Sequence, residues 1–190
     1  MNKIMGVWLM SVVLIFSANA QIIVESDQVA NADFSKYKTY SWASQVDSEL
    51  DPGYYFLNDL IMKAMIRDAM KDELKNLGYQ MDRDQPDLIV DFRVFEEPVT
   101  LKGFEGYGTT YWDDNGYNYR QISDTVYHVK AGTLLVSMAD LKSGQVVWQG
   151  FASGLIKNNN SFNKDEAQIH RAIRLIFDDY NQKARGYTRK

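Results

Sequence analysis

Apolar residues recur at three- and four-residue steps in two stretches of the chain. Met62, Met65, Ile66, Ala69, Met70, Leu74 and Leu77 make one stripe, with Lys63, Arg67, Asp68, Lys71, Asp72 and Lys75 on the opposite face. That spacing predicts an amphipathic helix, and Gly78 stands where such a helix stops in the left-handed conformation. Ile169, Ala172, Ile173, Ile176, Phe177 and Tyr180 make a second stripe. Asn163 and Glu166 precede it at the spacing of a capping box.

Other stretches alternate instead. Leu88 to Phe95 sets Leu88, Val90, Phe92 and Val94 on one face and Asp91 and Arg93 on the other, which is read as the exposed one. Thr39 to Trp42 and Thr125 to Lys130 are short β-rich runs, and Ile22 to Val24 reads as an edge strand. Thr133 to Ala139 and Gln145 to Ala152, joined by Lys142-Ser143-Gly144, form an antiparallel hairpin pattern. Strands joined by short turns, with helices one-sidedly apolar, predict an α+β fold. It is a mainly antiparallel sheet of about five to six strands with two helices on one face.

Between Lys102 and Gln121 neither period survives. Glycines 103, 106, 108 and 116 are interleaved with Phe104, Tyr107, Tyr111, Trp112, Tyr117 and Tyr119. Asn115-Gly116 between aromatic flanks is a type I′ hairpin signal, so residues 103–120 read as a projecting hairpin lobe. Its rings have three possible roles: a minor core, a protein-binding surface, or a platform that stacks on glycan rings while Asp113 and Asp114 bond hydroxyls.

The N-terminus changes the picture of location. Lys3, the uncharged run Ile4 to Phe16 and Ser17-Ala18-Asn19-Ala20 have the three-part form of a secretory signal, with cleavage expected before Gln21. The run is too short for a membrane span, at ~1.5 Å per helical residue against ~30 Å of hydrocarbon. The expected organisation is a cleaved signal at 1–20, one domain at 21–185 and a tail at 186–190. The absence of cysteine excludes disulfides, a thiol nucleophile, cysteine-based zinc and lipid attachment at a cysteine. Loss of Lys3 moves the net charge from −4 to −5, which is no footprint for nucleic acid. The basic tail, Lys183, Arg185, Arg189 and Lys190, reads as solvated.

Signals for chemistry are poor. Ser153 in Gly150-Phe151-Ala152-Ser153-Gly154 is one position from a nucleophile elbow, and no helix follows. His128 and His170 are the only histidines and are far apart, so no zinc site is expected. Asp113-Asp114-Asn115-Gly116 lacks the ligands that an EF-hand needs at Tyr111 and Ile122. No cofactor, metal or catalytic residue is assigned. Trp148, Tyr40 and Trp42 are expected in the core, and Gly150 is expected to answer a backbone need inside a strand.

The order of motifs carries a resemblance. Phe34-Ser35-Lys36-Tyr37-Lys38-Thr39-Tyr40-Ser41-Trp42 is followed by a helix ending Leu77-Gly78-Tyr79. Then come Pro86-Asp87-Leu88-Ile89-Val90, the aromatic insert, Gly132-Thr133-Leu134, Asp140, and Gly144 to Gly154 with Trp148. The chain resembles the bacterial envelope family called domain of unknown function 4136. The resemblance implies export to the envelope, often as a lipoprotein, although this chain has no cysteine to acylate. The reading is an exported, periplasmic or outer-membrane-associated domain that binds or scaffolds another envelope protein or a glycan. Phe104, Tyr107, Tyr111, Trp112, Tyr117 and Tyr119 are its candidate contacts. A cell-wall-binding module and a hydrolase are the alternatives.

Overall fold

A computed structural model describes residues 21–29, 32–43, 59–102, 126–156 and 162–186 of the protein. In chain order the elements are β1 (Ile23–Gln28), a single 3-10 turn (Phe34–Lys36), β2 (Thr39–Trp42), α1 (Leu60–Asn76), β3 (Gln80–Met81), β4 (Leu88–Phe95), β5 (Val99–Lys102), β6 (Val126–Val129), β7 (Thr133–Asp140), β8 (Val146–Ser153) and α2 (Glu166–Tyr180). The fold is α+β. Six strands lie in the order β1-β8-β7-β4-β2-β3, and β5 and β6 make a separate two-stranded ribbon.

The sheet is mainly antiparallel, as expected, but mixed. Strands β1, β8, β7 and β4 are antiparallel neighbours, but β2 runs parallel to both β4 and β3. The reason lies in the connection: α1 is interposed between β2 and its partners, and a crossover helix returns the chain to the end from which it started.

Both helices bury their predicted stripes. In α1, Met62, Ile66, Ala69, Met70 and Leu74 are buried; in α2 all six stripe residues are. Asp59 caps α1 by accepting from the backbone N–H of Ile61 and Met62, both at 3.1 Å. The helix ends as the glycine predicts: Gly78 has φ 90°, and Tyr79 N–H donates to the Leu74 carbonyl at 2.9 Å. The cap of α2 is Asp165, not Asn163; its side chain accepts from Gln168 N–H at 3.0 Å. Asn163 instead accepts from Asp165 N–H at 3.0 Å, one step further out.

The main core lies between the helices and Leu88, Val90, Phe92 and Val94 of β4, Leu134, Val136 and Met138 of β7, and Trp148 and Ala152 of β8. Trp148 is 2% exposed and meets Tyr180 edge-on at 4.8 Å between ring centroids. Gly150 leaves the space this ring needs. A Cβ there would stand 2.7 Å from Trp148 Cζ2 and 2.9 Å from Ile176 Cγ2.

The opposite face of the sheet carries neither helix, and yet it is not exposed. Asp91 is only 5% accessible, which corrects the open-face expectation. Two apolar clusters account for the ends of this face: Ala43, Ile89, Ala139 and Val146 at one, and Phe95, Val129, Leu135 and Phe151 at the other. The second cluster includes the β5–β6 ribbon, through Val129 and the partly buried Val99. Between them the cross-strand register aligns Asp91, Ser137, Gln149 and Asp27 in one polar row across β4, β7, β8 and β1.

Candidate functional site

The polar residues of the N-terminal and central motifs hold the fold together. Asp87 accepts from Lys38 N–H at 2.7 Å, Thr39 N–H at 3.0 Å and the Thr39 hydroxyl at 3.1 Å, which ties the start of β2 to the start of β4. Asp140 plays the same part at the β7–β8 turn. One of its oxygens takes the Tyr37 hydroxyl at 2.9 Å and the Lys36 ammonium at 2.8 Å; the other takes Ser143 N–H at 2.8 Å and the Ser143 hydroxyl at 3.0 Å. Burial pushes this carboxyl up, but its hydrogen bonds and ion pair outweigh burial and hold it below the ordinary carboxylate value. The Tyr37 hydroxyl is pushed up by burial first and by Asp140 second, so it stays a neutral donor. A carboxylate so fully bonded has no lone pair directed at a substrate.

A different place is open. Ile23, Glu25, His128, Val129, Lys130, Thr133, Phe151 and Ser153 line a pocket of about 160 Å³ on the sheet face opposite α1 and α2. Four strands and a turn build it. Cross-strand register sets Ile23 against Ser153 and Glu25 against Phe151. The far wall is the connection from β6 to β7, where Thr133 Oγ1 donates to the Lys130 carbonyl at 2.8 Å. That turn needs glycine: Gly132 has φ 72°, and its N–H donates to the Phe95 carbonyl at 2.7 Å. The volume suits one side chain better than a small-molecule ligand, for which pockets run ~300–1,000 Å³.

Glu25, His128 and Ser153 are the residue types of a hydrolytic triad, but their bonds go elsewhere. Ser153 Oγ donates to the Ile23 carbonyl at 3.4 Å, and His128 Nδ1 lies 3.3 Å from Thr100 Oγ1. No hydrogen bond joins the serine to the histidine, and β8 continues into an isolated bridge at Ile156 rather than a helix. His170, on α2, sits 3.9 Å from Glu166 on the surface. Among the described residues no group of three His, Asp or Glu could hold a metal ion.

Beside the pocket runs the free edge of the sheet. Val29 N–H donates to the Val147 carbonyl at 3.0 Å, in the same register that pairs Asp27 with Gln149, Glu25 with Phe151 and Ile23 with Ser153. In an antiparallel ladder bonded and non-bonded pairs alternate. The backbone N–H and C=O groups of Val24, Ser26 and Gln28 therefore point away from β8. No described strand pairs with them. Ile23 on this strand is 51% exposed. One neighbouring group is anomalous: the Gln149 side chain is 0% exposed, and neither its amide oxygen nor its nitrogen has a hydrogen-bond partner among the described residues.

Comparison with known proteins places the chain. A model of the domain of unknown function DUF4136 matches residues 24–180. The chain belongs to the DUF4136 family. A DUF4136 family protein from Bacteroides thetaiotaomicron has a similar crystal structure, with a TM-score of 0.55 at 16% identity, over 84% of this chain and 95% of that one. A PDZ domain protein from Parabacteroides distasonis gives 0.49 at 17% identity, over 90% of this chain and 37% of that one. The PelC dodecamer from Paraburkholderia phytofirmans gives 0.46 at 12% identity, over 87% and 100%. At these identities the likeness to the Bacteroides protein is one of fold. No protein of curated function matches the chain.

The six aromatic candidates, Phe104, Tyr107, Tyr111, Trp112, Tyr117 and Tyr119, lie outside the described residues of this DUF4136 domain. The insert that carries them leaves β5 at Lys102 and returns to β6 at Val126, residues paired across the ribbon. Of the pocket residues, sequence reasoning singled out only His128 and Ser153, each by itself. Glu25, Lys130, Thr133 and Phe151 come from separate stretches that no one motif joins, and only the strand register brings them together.

Proposed function

We propose that this DUF4136 domain is an exported component of the bacterial envelope that binds another envelope component without performing chemistry on it. The observation that carries this reading is the pairing of a free strand edge with a side-chain-sized pocket, both built from β1. Hydrogen-bonding groups and apolar surface converge there, as a binding site requires, while the buried carboxylates are committed to the fold. In sequence, the aromatic insert 103–120 lies between the two strands of the ribbon whose β6 supplies His128 and Val129 to the pocket. It is the second contact surface in this reading. Export rests on the signal-like residues 1–20, and no helix among the described residues is long and apolar enough to cross a membrane.

Photocrosslinking in the native envelope tests the proposal. A photoreactive residue at Gln28 should give a discrete adduct; one at Lys71, on the outer face of α1, should not. Equal or absent adducts at both positions would remove the binding reading. Protein recovered from the same envelopes should begin at Gln21, and a chain retaining Met1 would remove the signal reading.

A further inference from the structure

We infer that β1 is a strand-addition site whose partner is an extended protein segment with alternating basic and apolar residues. The inference rests on the binding reading above and gives it a chemistry.

The outward N–H and C=O groups of Val24, Ser26 and Gln28 offer six hydrogen-bonding positions on an edge that no described strand pairs. Natural sheets blunt such edges with proline, bulges or inward charges. β1 has no proline and keeps an unbroken register of six pairs with β8. An added strand would have period two. On one face its side chains extend the surface around Val24, which packs against the main core, and apolar residues suit that position. On the other face they stand beside Ile23 and Glu25 at the mouth of the pocket. Glu25 is exposed and forms no ion pair among the described residues, so a lysine or arginine opposite it makes a favourable cross-strand pair. The aliphatic stem of that residue can lie along Ile23 and Phe151 while the charge stays in water beside Glu25. Lys130, on the far wall, keeps the cation at the β1 rim. A second copy of this chain is a poorer occupant. Antiparallel pairing of two β1 strands about Ser26 would set Glu25 of one against Asp27 of the other on the same face, and like charges directly opposite are destabilising.

The test uses the purified protein and a labelled seven-residue peptide that alternates valine and lysine, read by fluorescence anisotropy. Saturable binding that weakens with added salt is expected. Methylating the peptide's backbone nitrogens on alternate residues should abolish it, because strand addition needs those donors. Ser26→Pro removes one outward N–H from an edge strand, where proline is tolerated, and should weaken binding about tenfold with an unchanged melting temperature. Glu25→Gln should weaken it about threefold. Should Ser26→Pro fail to fold, the methylated peptide asks the same question of the unaltered protein. Binding indifferent to methylation, or no binding at millimolar peptide, would overturn the inference. So would a concentration-dependent dimer lost in Ser26→Pro, which would make the occupant a second copy. An adduct at Gln28 in the envelope together with failure here would leave the binding function standing and refute strand addition alone.

Discussion

Gly150→Ala should destabilise the protein through one ring. The added methyl would meet the six-membered ring of Trp148, with Cζ2 at 2.7 Å, and Ile176 Cγ2 at 2.9 Å. The ring has little room to retreat, since Tyr180 lies 4.8 Å and Phe177 6.4 Å from it, centroid to centroid. Overpacking of this kind costs about 1–3 kcal/mol. Phenylalanine at 148 lacks the Cζ2 and Cη2 atoms, so most of the clash should disappear in a Trp148→Phe background. The double-mutant cycle over Gly150→Ala and Trp148→Phe should then show a favourable coupling of about 1–2 kcal/mol. Trp148→Ala alone should cost about 3–5 kcal/mol, the range for emptying a buried aromatic site. Urea denaturation followed by far-ultraviolet circular dichroism supplies all four corners without relying on the fluorescence of the mutated residue. Additive effects within about 0.3 kcal/mol would refute the claim that Gly150 exists to admit the Trp148 ring.

Asp140→Asn should cost about 1.5–3 kcal/mol at neutral pH, because it removes a charged acceptor bonded to Tyr37, Lys36 and Ser143. The folded-state carboxyl is held below its unfolded value of about 3.9, so its contribution is present above about pH 4 and lost as pH falls through the lower folded-state value. The stability gap between wild type and variant should therefore be flat from pH 7 to about pH 5 and narrow below; a pH-independent gap would refute this. Gln149→Met should stabilise by about 1–3 kcal/mol, since it replaces a fully buried amide without partners among the described residues by an apolar chain of similar length; a lower denaturation midpoint would mean that the amide has a bound partner. Replacing residues 103–120 with a short Gly/Ser turn should leave the melting temperature near that of the wild type, as halving a loop changes closure entropy by only about 0.6 kcal/mol. Unfolding on deletion would make the insert's rings a structural core.

The sequence by itself determined the parts that depend on local periodicity. The stripes on α1 and α2 were legible because a helix brings every third and fourth residue to one face, whatever lies opposite. The alternation of β4, the β7–β8 hairpin and the helix stop at Gly78 were legible for the same reason: each is written within a few residues. The core place of Trp148 and the need for glycine at 150 followed from their type and their strand. The cap of α2 was displaced, because Asn163, Asp165 and Glu166 offer overlapping cap signals and only the final geometry selects one. What tertiary structure alone decided is relational. The parallel join of β2 to β4 depends on how α1 crosses the sheet. Asp91 is buried on a face whose two ends carry apolar clusters that include Ala43, Val129 and Phe151, an arrangement that no single strand encodes. The motif residues Lys36, Tyr37, Thr39, Asp87 and Asp140 read as a family signature, and only their hydrogen bonds reveal them as ties between distant strands. The candidate site was the least legible of all. Its walls join Ile23 to Ser153 across most of the chain, and residues that far apart become neighbours only through strand register, a property of pairs of segments and not of either one.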